Sequence, residues 1–255
     1  MDGVLFHGNR VIPEALQFMQ QITRLPHAFI TNNPILLPVD IADKLQDMGF
    51  PRPAEAQIIT SGVATALWLE QQKSGFRYFA IGAEGLEQAL SAYGCADPDQ
   101  ADFVVVGEGA GIDYEKLTIA SNLILKKGAR LISTNPDNSV DAFQNGKHLV
   151  LPGGGALVAP LIITTGRQPV TIGKPGKILY QMALEYLNLP ATDCMMIGDR
   201  PDTDIHGAAG LGMITALVRT GRFAPGADYP ADLHRPDIDV HDLSALWQKI
   251  HAKLD

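Results

Sequence analysis

Cysteine is scarce in this chain of 255 residues: there are two, Cys95 and Cys194. They form neither a CxxC pair nor a zinc-ligand spacing, which argues against a disulfide scaffold or a structural zinc site. Read as small buried hydrophobes, they suit a reducing, cytoplasmic compartment. Long apolar runs are missing too. The longest, such as Ala156 to Ile163, fall far short of the ~20 residues that a membrane span needs. No basic segment followed by an apolar run opens the sequence, so no signal-peptide pattern is expected. Charge is not clustered either. The net charge of −8 is spread without long runs of one sign. The absence of a basic patch argues against nucleic acid and membrane surfaces as partners. The seven histidines are scattered, with no HExxH or paired spacing.

What is present is an ordinary globular balance, 46% apolar and 19% charged, enough for one large domain or two small ones. Apolar runs alternate with amphipathic helical patterns. Helices are expected over Pro13–Leu25, Val39–Met48, Ser61–Lys73 with Ser61 as its cap, Gly85–Tyr93, Tyr114–Lys127, Lys177–Leu187, Asp204–Ala209 and Leu243–Leu254, with another from the Gly153-Gly154-Gly155 turn to Thr165. Strands are expected at Ala28–Thr31, Tyr78–Ile81, Phe103–Val106, Arg130–Ser133, Val170–Ile172, Cys194–Ile197 and Ile214–Val218. Continuous apolar strands separated by helices indicate an α/β fold with a parallel sheet covered on both faces. Such sheets bind their ligands at the carboxyl ends of the strands.

That rule selects the chemistry. Thr31-Asn32-Asn33 follows one strand, Gly173-Lys174-Pro175 a second, and Gly198-Asp199 with Asp202 and Asp204 a third. Asp2-Gly3-Val4-Leu5 stands at the start. A hydroxyl and amide pair, a lysine and several carboxylates suit phosphoryl transfer. Carboxylates hold a hard Mg²⁺ ion, while hydroxyl, backbone amide and lysine hold phosphoryl oxygens as charge builds.

In their order and sequence these motifs resemble the haloacid dehalogenase (HAD) superfamily, in the cap-bearing branch that includes NagD-like and p-nitrophenyl phosphatase-like proteins (subfamily IIA). That resemblance implies a Rossmann-like parallel-sheet core with an inserted α/β cap of type C2. The core would occupy 1–75 and 169–255, and the cap 76–168. Family motif I is Asp-x-Asp-Gly-Val/Thr, whose first aspartate attacks phosphorus. Met1-Asp2-Gly3-Val4-Leu5 matches from the second position onward. Asp2 is then the general acid/base and, through its backbone carbonyl, a metal ligand. The nucleophile would stand immediately before Met1. The expectation is a natural protein with roughly five to ten further residues upstream, a strand's length, ending in aspartate.

The resemblance assigns the remaining roles as well. Thr31 and the amide that follows it would bind phosphate, with Asn32 and Asn33 beside them, and Lys174 would be the catalytic lysine of motif III. Asp199 would ligate Mg²⁺ and Asp204 would order the metal or its waters. Gly3 and the backbone from Arg200 through Asp202 to Thr203 would contact substrate. Pro201, where the family usually has leucine, removes one N–H from that set. Asn32 and Lys174 stand 142 positions apart, and the gap houses the cap, which carries Thr134-Asn135-Pro136-Asp137. Asn135 and Asp137 are its candidate site residues. The cap would close over the site and could pair two copies into a homodimer. The implied substrate is a small phosphorylated metabolite.

Singly, each motif has a plainer reading. Asp199 could cap a helix, Lys174 could lie on the surface, Thr31-Asn32-Asn33 could cap a turn, and Asn135 with Asp137 could be only a turn. Two other functions compete. A chain without the nucleophile could still bind a phosphate ligand without catalysis. A nucleotide-dependent oxidoreductase is disfavoured, because Gly107-Glu108-Gly109-Ala110-Gly111 is not GxGxxG; Gly173-Lys174-Pro175 likewise fails as a Walker A loop.

Overall fold

The computed structural model describes residues 1–144 and 147–251. The chain divides into two compact units. The first comprises Met1–Ile30, Val39–Ile58 and Tyr180–Asp255; the second comprises Thr31–Pro38 and Ile59–Leu179. The cap range expected from sequence lies inside the second unit, which also takes in the Thr31 turn and the segment carrying Lys174.

The first unit has a parallel ladder of three strands in the order Met195–Gly198, Ile214–Val218, Ile238–Val240. Its middle strand is an apolar run, and Ala216, Leu217 and Val218 are fully buried. The helix Pro13–Ile22 starts with proline, whose missing N–H has no intrahelical partner at that position anyway. It buries Ala15, Phe18 and Met19. The Phe18 ring meets Trp247 edge-on, with centroids 6.3 Å apart, and so ties this helix to Leu243–His251.

The second unit is built on a five-stranded sheet, parallel throughout, in the order Val170–Thr171, Arg130–Ser133, Phe103–Val106, Arg77–Ile81, Cys95–Ala96. Val104, Val106, Leu131, Leu123 and Leu161 are buried in one apolar cluster with its helices. Ile81, Val106, Ser133 and Thr171 align in a single row across four strands. The next residues, Gly107-Glu108, Thr134 to Asp137 and Ile172 to Lys174, therefore leave the sheet from one carboxyl edge.

The α/β expectation holds, and most elements lie within a few residues of the sequence reading. Three differences have clear causes. Thr60, not Ser61, caps the helix Ser61–Gln72, its hydroxyl accepting the Val63 N–H at 3.2 Å. The helix expected over 114–127 is α-helical to Asn122 and then widens into a π turn, Leu123–Lys127, closed by Gly128 at φ +78°. An antiparallel hairpin, Ser139–Gln144 with Lys147–Pro152, is additional. The final helix is described to His251, so its expected end at Leu254 lies outside the described residues. Among the described residues no helix is long and apolar enough to cross a membrane.

Candidate active site

Each unit carries part of the candidate set. In the first, the strand Met195–Gly198 delivers Asp199 at its carboxyl end. Asp199 and Asp204 are buried, 8% and 3% exposed. Asp199 Oδ2 accepts the Arg222 N–H at 3.0 Å. Asp204 Oδ2 accepts the N–H groups of Asp199 and Arg200 at 3.1 and 3.2 Å, which fixes the turn between the two carboxylates. Gly3, at φ +73°, lets the motif I backbone lie against the Asp199 carboxylate; a Cβ there would overlap Oδ2 and Cγ of Asp199. The Gly3 carbonyl accepts the Thr220 hydroxyl at 2.7 Å. A Cβ at Gly221 would collide with the same carboxylate from another side. Motifs I and IV thus converge in one unit, as their sequence order alone could not require.

Asp2 itself is exposed, with one carboxylate oxygen 3.8 Å from His7 Nδ1. Burial lowers the Lys44 ammonium below its usual range, and the negative charge of Asp2 works against that shift. Asp202 is tied to Arg200 by Nη2 to Oδ2 at 2.7 Å and Nε to Oδ1 at 3.2 Å. Burial pushes the Asp202 carboxyl up, but the Arg200 guanidinium outweighs it and holds the group below its ordinary value. Pro201 opens the helical turn Pro201–Ile205, where its missing N–H would have been unpaired. The N–H groups of Asp204 and Ile205 bond instead to the Arg200 carbonyl. Thr203 is buried, and its carbonyl accepts the Tyr180 hydroxyl. Burial, with the charges of Asp204 and Asp202 behind it, raises that phenol above its usual range.

In the second unit Thr31, Asn32, Asn135, Asp137 and Lys174 come together. Lys174 is 9% exposed. Its N–H donates to Asn32 Oδ1 at 2.7 Å, and its carbonyl accepts from Asn32 Nδ2 at 2.9 Å. Asn32 Nδ2 also donates to Asp137 Oδ2 at 2.9 Å. Thr31 Oγ1 accepts the Asn33 N–H at 3.2 Å, and Asn33 Oδ1 accepts from the N–H groups of Ile35 and Leu36, so the Asn33 side chain shapes the turn. Beside them lies Glu108, 4% exposed, which receives Asn135 Nδ2 at 2.8 Å. Burial pushes its carboxyl up to about 7; the Asn135 bond opposes this and the neighbouring Asp137 charge adds to it.

Sequence reasoning passed over Glu108, Lys44, Thr220, Gly221 and Arg222. A signal existed for four of them. Glu108 follows the strand Phe103–Val106, and Thr220 to Arg222 follow Ile214–Val218, each at a carboxyl end.

A metal fits the first unit's oxygens. Mg²⁺ is held by one or two carboxylates with backbone oxygens and waters. The Asp199 carboxylate, with the Gly3 backbone seated against it, offers oxygens of that chemistry, and Gly3 is the residue that permits the approach. Among the described residues no cluster of three or more His, Cys, Asp or Glu side chains could hold a metal.

Comparison with known proteins identifies the family. Residues 1–96 match the haloacid dehalogenase-like hydrolase family model, and residues 171–246 match a HAD-hydrolase-like model. The chain is 38% identical over 224 residues to 5'-nucleotidase YutF of Bacillus subtilis, covering 87% of this chain and 85% of that one. It is 38% identical over 225 residues to an acid sugar phosphatase of Staphylococcus saprophyticus, with the same coverage. Among solved structures, p-nitrophenyl phosphatase from Archaeoglobus fulgidus superposes with a TM-score of 0.86 at 29% identity, covering 97% of this chain and 96% of that one. NagD from E. coli K-12 superposes with a TM-score of 0.83 at 27% identity, covering 96% and 94%. The chain belongs to the haloacid dehalogenase-like hydrolase family, with the NagD-like and p-nitrophenyl phosphatase-like proteins of subfamily IIA.

Proposed function

We propose that this chain, completed by a nucleophilic aspartate immediately before Met1, is a Mg²⁺-dependent phosphomonoester hydrolase acting on a small phosphorylated metabolite in the cytoplasm through an aspartyl-phosphate intermediate. The observation that carries the proposal is the seating of the Asp199 carboxylate against the Gly3 backbone, which joins the acid/base loop to the metal carboxylates. Support comes from relatives named as phosphatases of nucleotides, sugars and p-nitrophenyl phosphate. The two free cysteines suit a reducing compartment.

In this reading the attacking carboxylate is the residue two before Asp2 in the family motif, immediately upstream of Met1. Its oxygen forms a bond to phosphorus as the ester oxygen leaves. Asp2 donates a proton to that oxygen and then takes one from the water that cleaves the acyl phosphate. Lys174, the Thr31 hydroxyl and the Asn32 backbone N–H hold the phosphoryl oxygens. Asp199, Asp204 and the Asp2 carbonyl would hold Mg²⁺, which when bound neutralises charge on the phosphoryl group. Thr203 and the Arg200–Asp202 pair hold the turn that presents Asp204.

Asp199→Ala, in the chain extended upstream through its natural reading frame, is the direct test. Hydrolysis of p-nitrophenyl phosphate should fall by at least about 10³-fold and cease to respond to Mg²⁺. Turnover near the wild-type rate in that variant would remove Asp199 from the site.

A further inference from the structure

We propose that the Asn32 side chain is a clamp on the backbone of Lys174, and that Asn135, anchored on Glu108, holds the clamp in register. The function of the clamp rests on the reading of Lys174 as a phosphoryl-binding lysine. Its existence rests on geometry within the second unit alone.

A side-chain amide has two N–H hydrogens and one carbonyl oxygen. At Asn32 the carbonyl takes the Lys174 N–H at 2.7 Å. One Nδ2 hydrogen goes to the Lys174 carbonyl at 2.9 Å and the other to Asp137 at 2.9 Å. Both donors are spent, so the side chain has none left for a phosphate. It pairs both polar groups of Lys174, much as a neighbouring strand would, at the point where the ladder has just ended: Ile172 N–H donates to the Ser133 carbonyl and Gly173 N–H to the Thr134 carbonyl. Gly173 makes room for this. A Cβ there would stand 2.6 Å from both Asn32 Oδ1 and the Thr134 carbonyl.

The clamp is itself held. The Asn32 carbonyl accepts Ser61 Oγ at 2.6 Å and Asn135 Nδ2 at 2.8 Å. The second Asn135 hydrogen goes to Glu108 Oε1 at 2.8 Å, and its Oδ1 accepts the Asp137 N–H at 3.0 Å. Asn135 and Ser61 are fully buried, and Glu108 nearly so. Bonds in such a setting are costly to break and hard to replace by water. A lysine side chain is long and loses much rotamer freedom when ordered. Fixing its backbone at both the N–H and the carbonyl leaves that rotamer cost in place but sets the point from which the side chain starts before substrate arrives, the general benefit of preorganisation. Asn32, Asn135 and Glu108 are accordingly positioning residues, each acting through the next.

The test has two readouts. The first is amide hydrogen exchange, which needs no turnover. In Asn32→Ala the Lys174 N–H should exchange about tenfold faster or more, while Ile172 N–H, held by the ladder, is unchanged. An unchanged Lys174 amide overturns the clamp. The second is a double-mutant cycle on kcat/KM for p-nitrophenyl phosphate with Mg²⁺, using the chain extended upstream through its natural reading frame. Asn32→Ala and Asn135→Ala should each lose about tenfold or more, and Asn32→Ala with Lys174→Ala should be no slower than Lys174→Ala within about twofold. Losses that multiply put the Asn32 side chain on the substrate and overturn the proposal. Glu108→Gln, which keeps an acceptor for Asn135, should stay near wild type, and Glu108→Leu should reproduce Asn135→Ala. Equal loss in both Glu108 variants removes Glu108 as a hydrogen-bond anchor. A protein that hydrolyses nothing defeats the phosphatase reading, while the exchange result still decides the clamp.

Discussion

Gly3 and Gly221 both crowd the Asp199 carboxylate, and neither site has room for a side chain. Gly3→Ala adds a methyl group at φ +73° as well, so we expect a loss of roughly 1–3 kcal/mol in stability, read as a lowered Tm, together with weakened Mg²⁺ activation. Gly221→Ala should keep more of its stability, its backbone being outside the left-handed region, but should lose Mg²⁺ activation comparably. Glu108 makes a prediction of a different kind. Its folded carboxyl titrates at about 7, above the ordinary value of 4.5, so the folded state holds the proton more tightly. The wild type is therefore penalised progressively as pH rises from 4.5 to 7, by an amount on the order of 3 kcal/mol once fully ionised. Melting curves should show Glu108→Gln gaining on wild type over that window, with no gain near pH 4; a constant gap across pH would contradict the ionisation. At this scale the sequence told much about Asp199, Asp204 and Lys174, because each follows an apolar strand. It could not tell that the Asn32 amide faces the Lys174 backbone, a partner 142 positions away. Glu108 was weighed only as part of a glycine-rich run, Gly107 to Gly111, tested and rejected as a dinucleotide fingerprint.

Elements were legible where their apolar pattern was continuous. The strands Phe103–Val106, Arg130–Ser133 and Ile214–Val218 and the helix Lys177–Leu187 have the boundaries expected from sequence. The hairpin Ser139–Gln144 with Lys147–Pro152 was not legible. Residues Lys147–Val150 and Pro152 are exposed, so no buried face left an apolar signature. The short strand Ile238–Val240 was passed over because three residues carry too little periodicity. The cap of helix Ser61–Gln72 was displaced by one because Thr60 and Ser61 are both good caps; Ser61 is instead spent on the Asn32 carbonyl. Thr60→Ala should consequently cost about 1 kcal/mol, measurable as a shift in the denaturation midpoint at constant m-value.

For the whole molecule, the division of the chain is broader than an insertion between motifs II and III. The Val170–Thr171 strand pairs with Arg130–Ser133, so Lys174 leaves the same sheet edge as Glu108 and Asn135. Thr31 and Asn32 belong with that unit, while Asp2, Asp199 and Asp204 belong with the other. Linear motif order did not reveal this grouping, because strand pairing, not sequence distance, decides it. The most direct test of the proposed phosphatase is hydrolysis of p-nitrophenyl phosphate with and without Mg²⁺, by this 255-residue chain and by one extended upstream through the natural reading frame. The account predicts that the extended chain turns over only with Mg²⁺ and that the shorter chain does not. A folded extended chain that binds phosphate but never hydrolyses the ester, with or without Mg²⁺, would contradict it and make the protein a phosphate-ligand binder.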